Sequence, residues 1–184
     1  MRTTDSQRRG FTLIELLVVI AIILILVSML MPAIKVVQKN AKRARAMGDV
    51  ATIANGLKQY YGEYQQWAAT VAGGDETNTV GGIPVNSNLV DLLGGQDISG
   101  DNPRLKLFMQ VPPQALDSAG TFIDPWRNAY KYMCDFNYNG ALSITFTNAS
   151  TTNVANVTVG VWSSGQDGVS GTPAQRADDL VTWQ

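Results

Sequence analysis

The chain has 184 residues, a net charge of −1, one cysteine and no histidine. That balance argues against general nucleic-acid binding. It also excludes an intrachain disulfide, a Cys/His metal site, a Ser-His-Asp triad and a Cys-His pair within a single chain. The length suits one compact domain plus an apolar stalk, and a small core without disulfides calls for another staple, such as a hard-metal site.

The first ten residues are polar and basic, with Arg2, Arg8 and Arg9, and end in Gly10. From Phe11 to Met31 the chain is apolar almost without break. About 21 residues of helix run roughly 31 Å, which matches the roughly 30 Å hydrocarbon core of a bilayer. Residues 16–27 are only Leu, Val, Ile and Ala. Their β-branching does not count against a helix in lipid, where the backbone must satisfy its own hydrogen bonds.

Glu15 breaks this run. An ionised acid at mid-bilayer costs about 2.5–3.5 kcal/mol on insertion scales, so such residues usually face a partner. Glu15 reads either as an acid tolerated near a helix end or as a carboxylate reserved for a cation on another subunit. No A-x-A cleavage site follows Met31, whereas a cut after Gly10 removes the leader and keeps the helix. That cut exposes an α-amine on Phe11, one turn from Glu15. With a pKa of about 7.7–8.0 the amine is largely charged at neutral pH. Glu15 of one subunit can then pair with the Phe11 amine of its neighbour, a buried pair best justified as a register device.

Arg9-Gly10-Phe11-Thr12-Leu13-Ile14-Glu15 resembles the type III signal of type IV pilins and type II secretion pseudopilins. The resemblance implies that a prepilin peptidase cuts after Gly10 and methylates Phe11, and that Glu15 guides docking into a helical filament. It also places the N-terminus inside. The positive-inside rule leaves orientation ambiguous, because Lys35, Lys39, Lys42, Arg43 and Arg45 follow the apolar run while Arg2, Arg8 and Arg9 precede it.

Pro32 ends the apolar run, and a helical pattern resumes beyond it. Ile34, Val37, Ala41, Ala44, Met47, Ala51, Ala54, Leu57, Tyr61 and Tyr64 recur at 3–4 spacing. One long helix from about residue 11 to about 62–67 is expected, its second half packing on a sheet. The basic residues 35–45 suit lipid headgroups, acids on neighbouring subunits, or solvent.

Residues 70–104 are punctuated by Gly73-Gly74, Gly81-Gly82, Gly94-Gly95 and Gly100, and read as loop with a helical turn at 88–93. Asp124-Pro125 opens a turn that plants Trp126 against the core. Asp-Pro-Trp-Arg-Asn-Ala-Tyr resembles the Asp-Pro-Trp-Gly-Asn-x-Tyr of major pseudopilins, with Arg127 where Gly is usual, which suggests a different turn geometry. Strands are expected at 129–136, 142–148 and 154–163, with a hairpin signal at 137–140 and one wet sheet face.

The C-terminal stretch brackets a Gly-rich loop between Asp167 and Asp178-Asp179. Spacing alone reads as an exposed acidic turn, with a Ca²⁺ site as the alternative: carboxylates and carbonyls supply the oxygens Ca²⁺ takes. Ser163-Ser164-Gly165-Gln166-Asp167-Gly168 and Asp179-Leu180-Val181-Thr182-Trp183 resemble the calcium loop of major pseudopilins. The resemblance implies Asp167 and Asp179 as side-chain ligands of a structural Ca²⁺, the Ser164 carbonyl as a backbone ligand, and Asp178 as a further candidate.

The expected fold is therefore α+β and type IV pilin-like: a long N-terminal helix, transmembrane then amphipathic, packed on a small antiparallel sheet with a calcium-type C-terminal loop. The expected segments are a leader at 1–10, an assembly helix at 11–32, its amphipathic continuation at 33–67 and a periplasmic domain at 68–184. Within that domain the variable loops lie at about 70–121, and the sheet and C-terminal loop at about 122–184. The expected function is that of a non-catalytic pseudopilin of a type II secretion system. It is anchored in the inner membrane and assembles with other pseudopilins. Prepilin peptidase and the inner-membrane secretion platform are its partners. A type IV pilin is the alternative. A membrane-anchored enzyme using Asp117, Asp124, Asp135, Asp178 or Asp179 is disfavoured, since no nucleophile motif accompanies them.

Overall fold

The structure, a computed structural model, describes residues 11–69, 81–145, 151–170 and 178–183. Gly10 and residues 171–177 lie outside them. The chain divides into two units, Met1–Ala41 and Lys42–Gln184.

Helix α1 spans Leu13–Tyr64, and its helical hydrogen bonding continues past Pro32. In the first unit every described residue is exposed. The apolar run has a mean hydropathy of 3.2, so this helix is long and apolar enough to cross a membrane.

In the second unit, α1 buries Ala46, Val50, Ile53, Ala54, Gly56, Leu57 and Tyr60. The expected stripe is met in part: Ala54 and Leu57 are buried and Tyr61 and Tyr64 pack against the core, but Ala44, Met47 and Ala51 are exposed, and Ala46, Val50, Ile53 and Tyr60 complete the face instead. The large side chains Val50, Ile53, Leu57 and Tyr60 set the face, because burial energy scales with apolar area and alanine brings little of it.

Strands β1 (Ile83–Pro84), β2 (Lys131–Cys134), β5 (Val159–Ser163) and β6 (Leu180–Val181) form an antiparallel sheet in the order β1-β2-β5-β6. Strands β3 (Ala141–Thr145) and β4 (Thr151–Ala155) form a separate antiparallel pair. The expected strand 154–163 is thus two strands. Asn156, at φ 60°, and the residues up to Thr158 separate them. The signal at 137–140 does not make a hairpin either. Its turn is held by Asp135, whose carboxylate accepts from the backbone N–H groups of Asn139 and Gly140. It carries the chain from one sheet to the other, since β2 pairs with β1 and β5.

Alternation along β2 and β5 serves two cores. Tyr132, Cys134, Val159 and Val161 join the main cluster with Val50, Ile53 and Leu57 of α1. Met133 and Trp162 join a second cluster with Leu142 and Ile144 of β3. The sheet therefore has no wet face at its centre, and all five residues of β5 are buried. Burial on both faces is what turns an alternating strand into a continuous apolar one.

The 70–121 region is ordered by polar anchors where it is described. Helix α2 (Ser87–Leu93) is capped by Asn86, whose side chain accepts from the Leu89 N–H. Fully buried Asn102 donates to the carbonyls of Leu92 and Lys106, and accepts from the Tyr64 hydroxyl and the Lys106 N–H. The Tyr130 hydroxyl donates to Asp49 Oδ2 at 2.8 Å, tying α1 to the start of β2. Glu63 accepts from Lys106 and Arg104, and these bonds hold its carboxyl below the usual range. Between the folded and unfolded pKa the unfolded chain binds the extra proton, so stability rises with pH there. Glu63→Gln should lower the melting midpoint at pH 7, and the gap from wild type should close as pH falls through the folded pKa. Melts at stepped pH check this.

Arg127 sits at φ 75°, in the left-handed region that favours glycine. A non-glycine residue there costs about 1–2 kcal/mol, partly offset by the greater chain entropy glycine loses. The exposed side chain adds no packing to lose. Arg127→Gly should therefore stabilise the protein by about 1 kcal/mol or less, read as a rise in denaturant midpoint at unchanged m-value.

Candidate functional site

Two places gather the residues singled out from sequence. The first is the start of α1. The Thr12 N–H donates to Glu15 Oε2 at 2.8 Å, the Thr12 hydroxyl donates to the same oxygen at 2.7 Å, and the Glu15 N–H donates to Thr12 Oγ1 at 3.3 Å. This is a reciprocal capping box, which satisfies two of the donors a helix start leaves open. Phe11 is 80% exposed beside it. Thr12 was not singled out above, although Thr-x-x-Glu before an apolar run is a readable capping signature. Gly10, the expected cleavage residue, lies outside the described residues.

The second place is the C-terminal loop. Pairing of β5 with β6 sets Trp162 opposite Val181 and Ser163 opposite Leu180. That register brings Asp178 and Asp179 alongside residues 164–167. Oxygens of Asp167, Asp178 and Asp179 all lie within 4.8 Å of one another. Their burial is graded: Asp167 is exposed, Asp178 half-buried and Asp179 6% exposed.

Asp178 Oδ2 accepts from the N–H groups of Gln166 at 2.6 Å and Asp167 at 3.2 Å, and Asp167 Oδ1 accepts from the Val169 N–H at 2.8 Å. Ser164 is buried in the same loop, its Oγ accepting from the Ser170 hydroxyl at 3.0 Å. Lys131 on β2 lies within electrostatic reach of Asp179; burial pushes its pKa down and Asp179 opposes that shift. Three carboxylates this close repel unless a cation or protons offset them. An all-oxygen set of this kind suits a hard cation. Among the other candidate acids, Asp124 and Asp135 are buried and bonded to their own turns, and Asp117 accepts from the N–H groups of Ala119 and Thr121.

Comparison with known proteins follows this geometry. Residues 5–31 match the prokaryotic N-terminal methylation motif. The chain carries a prepilin-type N-terminus. A 60-residue stretch, 33% of the chain, is 42% identical to the type II secretion system core protein G of Escherichia coli (strain K12), covering 41% of that protein. Another, of 87 residues and 47% of the chain, is 34% identical to the fimbrial protein EcpC of Eikenella corrodens, covering 57% of it. The chain thus spans about half the length of these two relatives. Over 178 residues, 97% of the chain, it is 24% identical to the type II secretion system core protein G of Klebsiella michiganensis, covering 94% of that protein. No solved structure matches. The long apolar helix, packed by its second half on a small antiparallel sheet, is an α+β arrangement consistent with the pilin-like fold expected from the sequence.

Proposed function

We propose that this chain is a structural pseudopilin of a type II secretion system. The observation that carries the reading is the methylation motif over residues 5–31, set directly on an exposed apolar helix long enough to cross a membrane. The likeness to a core protein G across 94% of that protein's length supports the secretion branch.

On this reading, prepilin peptidase cleaves after Gly10 and methylates the new amine of Phe11. The remaining helix stays in the inner membrane with the C-terminal domain in the periplasm. Glu15 first folds back on Thr12, then pairs with the Phe11 amine of an adjacent copy as subunits leave the bilayer for a helical filament. The chain is a building block, assembled with other pseudopilins on the inner-membrane platform, and the relatives' names support a structural role over a catalytic one.

Calcium belongs to this proposal. Asp167, Asp178 and Asp179 fit a hard cation by their convergence and oxygen chemistry. With the Ser164 carbonyl they would form part of the set of roughly six to eight oxygens Ca²⁺ takes. Bound there, Ca²⁺ supplies positive charge that joins β6 to the loop after β5, as a disulfide would in a chain with more than one cysteine.

A pilus subunit is the second reading, favoured by the fimbrial relative. Deleting the gene in its own host separates the two. The proposal expects exported enzymes to accumulate in the periplasm, with export restored by the wild-type chain and not by Glu15→Leu. Intact export together with lost surface motility would overturn it in favour of the pilus.

A further inference from the structure

The turn at 124–128 and the acidic loop are separate in sequence but bonded in the fold. Asp124, 3% exposed, uses Oδ1 to accept from the N–H groups of Trp126 at 2.9 Å and Asn128 at 2.8 Å. Its other oxygen accepts from the Ser163 hydroxyl at 2.7 Å. The same hydroxyl oxygen accepts from the Gly165 N–H at 3.1 Å. The Asn128 amide then donates to the Gly165 carbonyl at 2.9 Å. The turn therefore holds the C=O of Gly165 directly, through Asn128, and its N–H at one remove, through the Ser163 hydroxyl that Asp124 fixes.

The opposite side of that residue meets the acids. A Cβ on Gly165 would stand 2.6 Å from Asp178 Oδ2 and 2.5 Å from the Asp178 carbonyl, and a Cβ on Gly168 would stand 2.9 Å from Asn128 Oδ1. The Gly165 backbone is thus pressed between the turn and Asp178. Asp178 in turn accepts from the next two backbone N–H groups.

We propose that Asn128, Ser163 and Asp124 are positioning residues that shape the acidic loop for its cation before the cation arrives; this rests on the calcium reading above. A loop already ordered does not lose that conformational entropy on binding. Groups one shell out from a metal typically affect its affinity by about 10–100-fold. The amide of Asn128 is suited to the task because it can donate to a carbonyl, whereas a carboxylate there could not and would add a fourth negative charge.

The test titrates the full chain in detergent, stripped by chelator, with CaCl₂ by calorimetry, for wild type, Asn128→Ala and Ser163→Ala. Melting midpoints in calcium and in chelator and amide hydrogen exchange at residues 165–169 are measured alongside. The expected result is a calcium Kd raised about tenfold or more in each variant, faster exchange of the loop amides in chelator, and a midpoint lowered more in calcium than in chelator. Unchanged Kd, with midpoints lowered equally in calcium and in chelator, would overturn the proposal and leave a purely structural turn. Absence of calcium uptake by wild type would instead remove the calcium reading itself, and this proposal with it.

Discussion

Chelating calcium should lower the melting midpoint of the full chain, purified in detergent, by about 5–10 °C. The figure follows from linkage: free Ca²⁺ at about 100 times its Kd stabilises the folded state by about 2.7 kcal/mol, and each kcal/mol moves the midpoint of a chain this size by about 2–4 °C. Asp179→Ala should melt at the chelated wild-type temperature and no longer respond to calcium. Asp179 is the most buried of the three acids and precedes β6 directly, so it offers the proposed cation the least hydrated carboxylate. Asp167→Ala, at an exposed position, should weaken calcium binding with a smaller loss of midpoint. A midpoint indifferent to chelator, with both variants silent, would remove the cation from the account.

Glu15→Leu should leave the protein in the membrane and abolish its assembly. Insertion itself should become easier, since a charged residue costs about 2.5–3.5 kcal/mol at the helix centre. What disappears is a directional partner. In the isolated chain the carboxylate is satisfied by the Thr12 N–H and hydroxyl, so it carries no demand for another subunit until an ammonium adds an opposite charge, whose attraction grows in a low-dielectric setting. Filament yield by shearing and immunoblot should fall at least tenfold at unchanged membrane content. Wild-type yield from Glu15→Leu would show that the helices register by packing alone.

The helix was legible because an unbroken apolar run and the charged pattern after it carry their own period. Its buried face was legible only in part: Ala54 and Leu57 fall on it, whereas Ala44 and Ala51 recur at the same spacing as Val50 and Ile53, and packing volume separates them. The break at Asn156 was invisible within a Val/Thr-rich run, since a single left-handed residue leaves no periodic trace. Turns held by Asp124 and Asn102 show the same limit from the other side: their residue types suggest bonding, but the partners come from distant segments. At the acidic loop spacing alone read as an exposed turn, and the family resemblance singled out Asp167 and Asp179 as candidate ligands. Their convergence depends on the β5–β6 register, and the support from Asn128 depends on where the 124–128 turn lands.

Intact mass spectrometry of the protein recovered from its native membrane tests the central claim most directly. The account predicts a chain that begins at Phe11 and carries one added methyl group on its amino terminus. A mature protein that retains residues 1–10, or one cut after Met31 so that the apolar helix is lost, would contradict it.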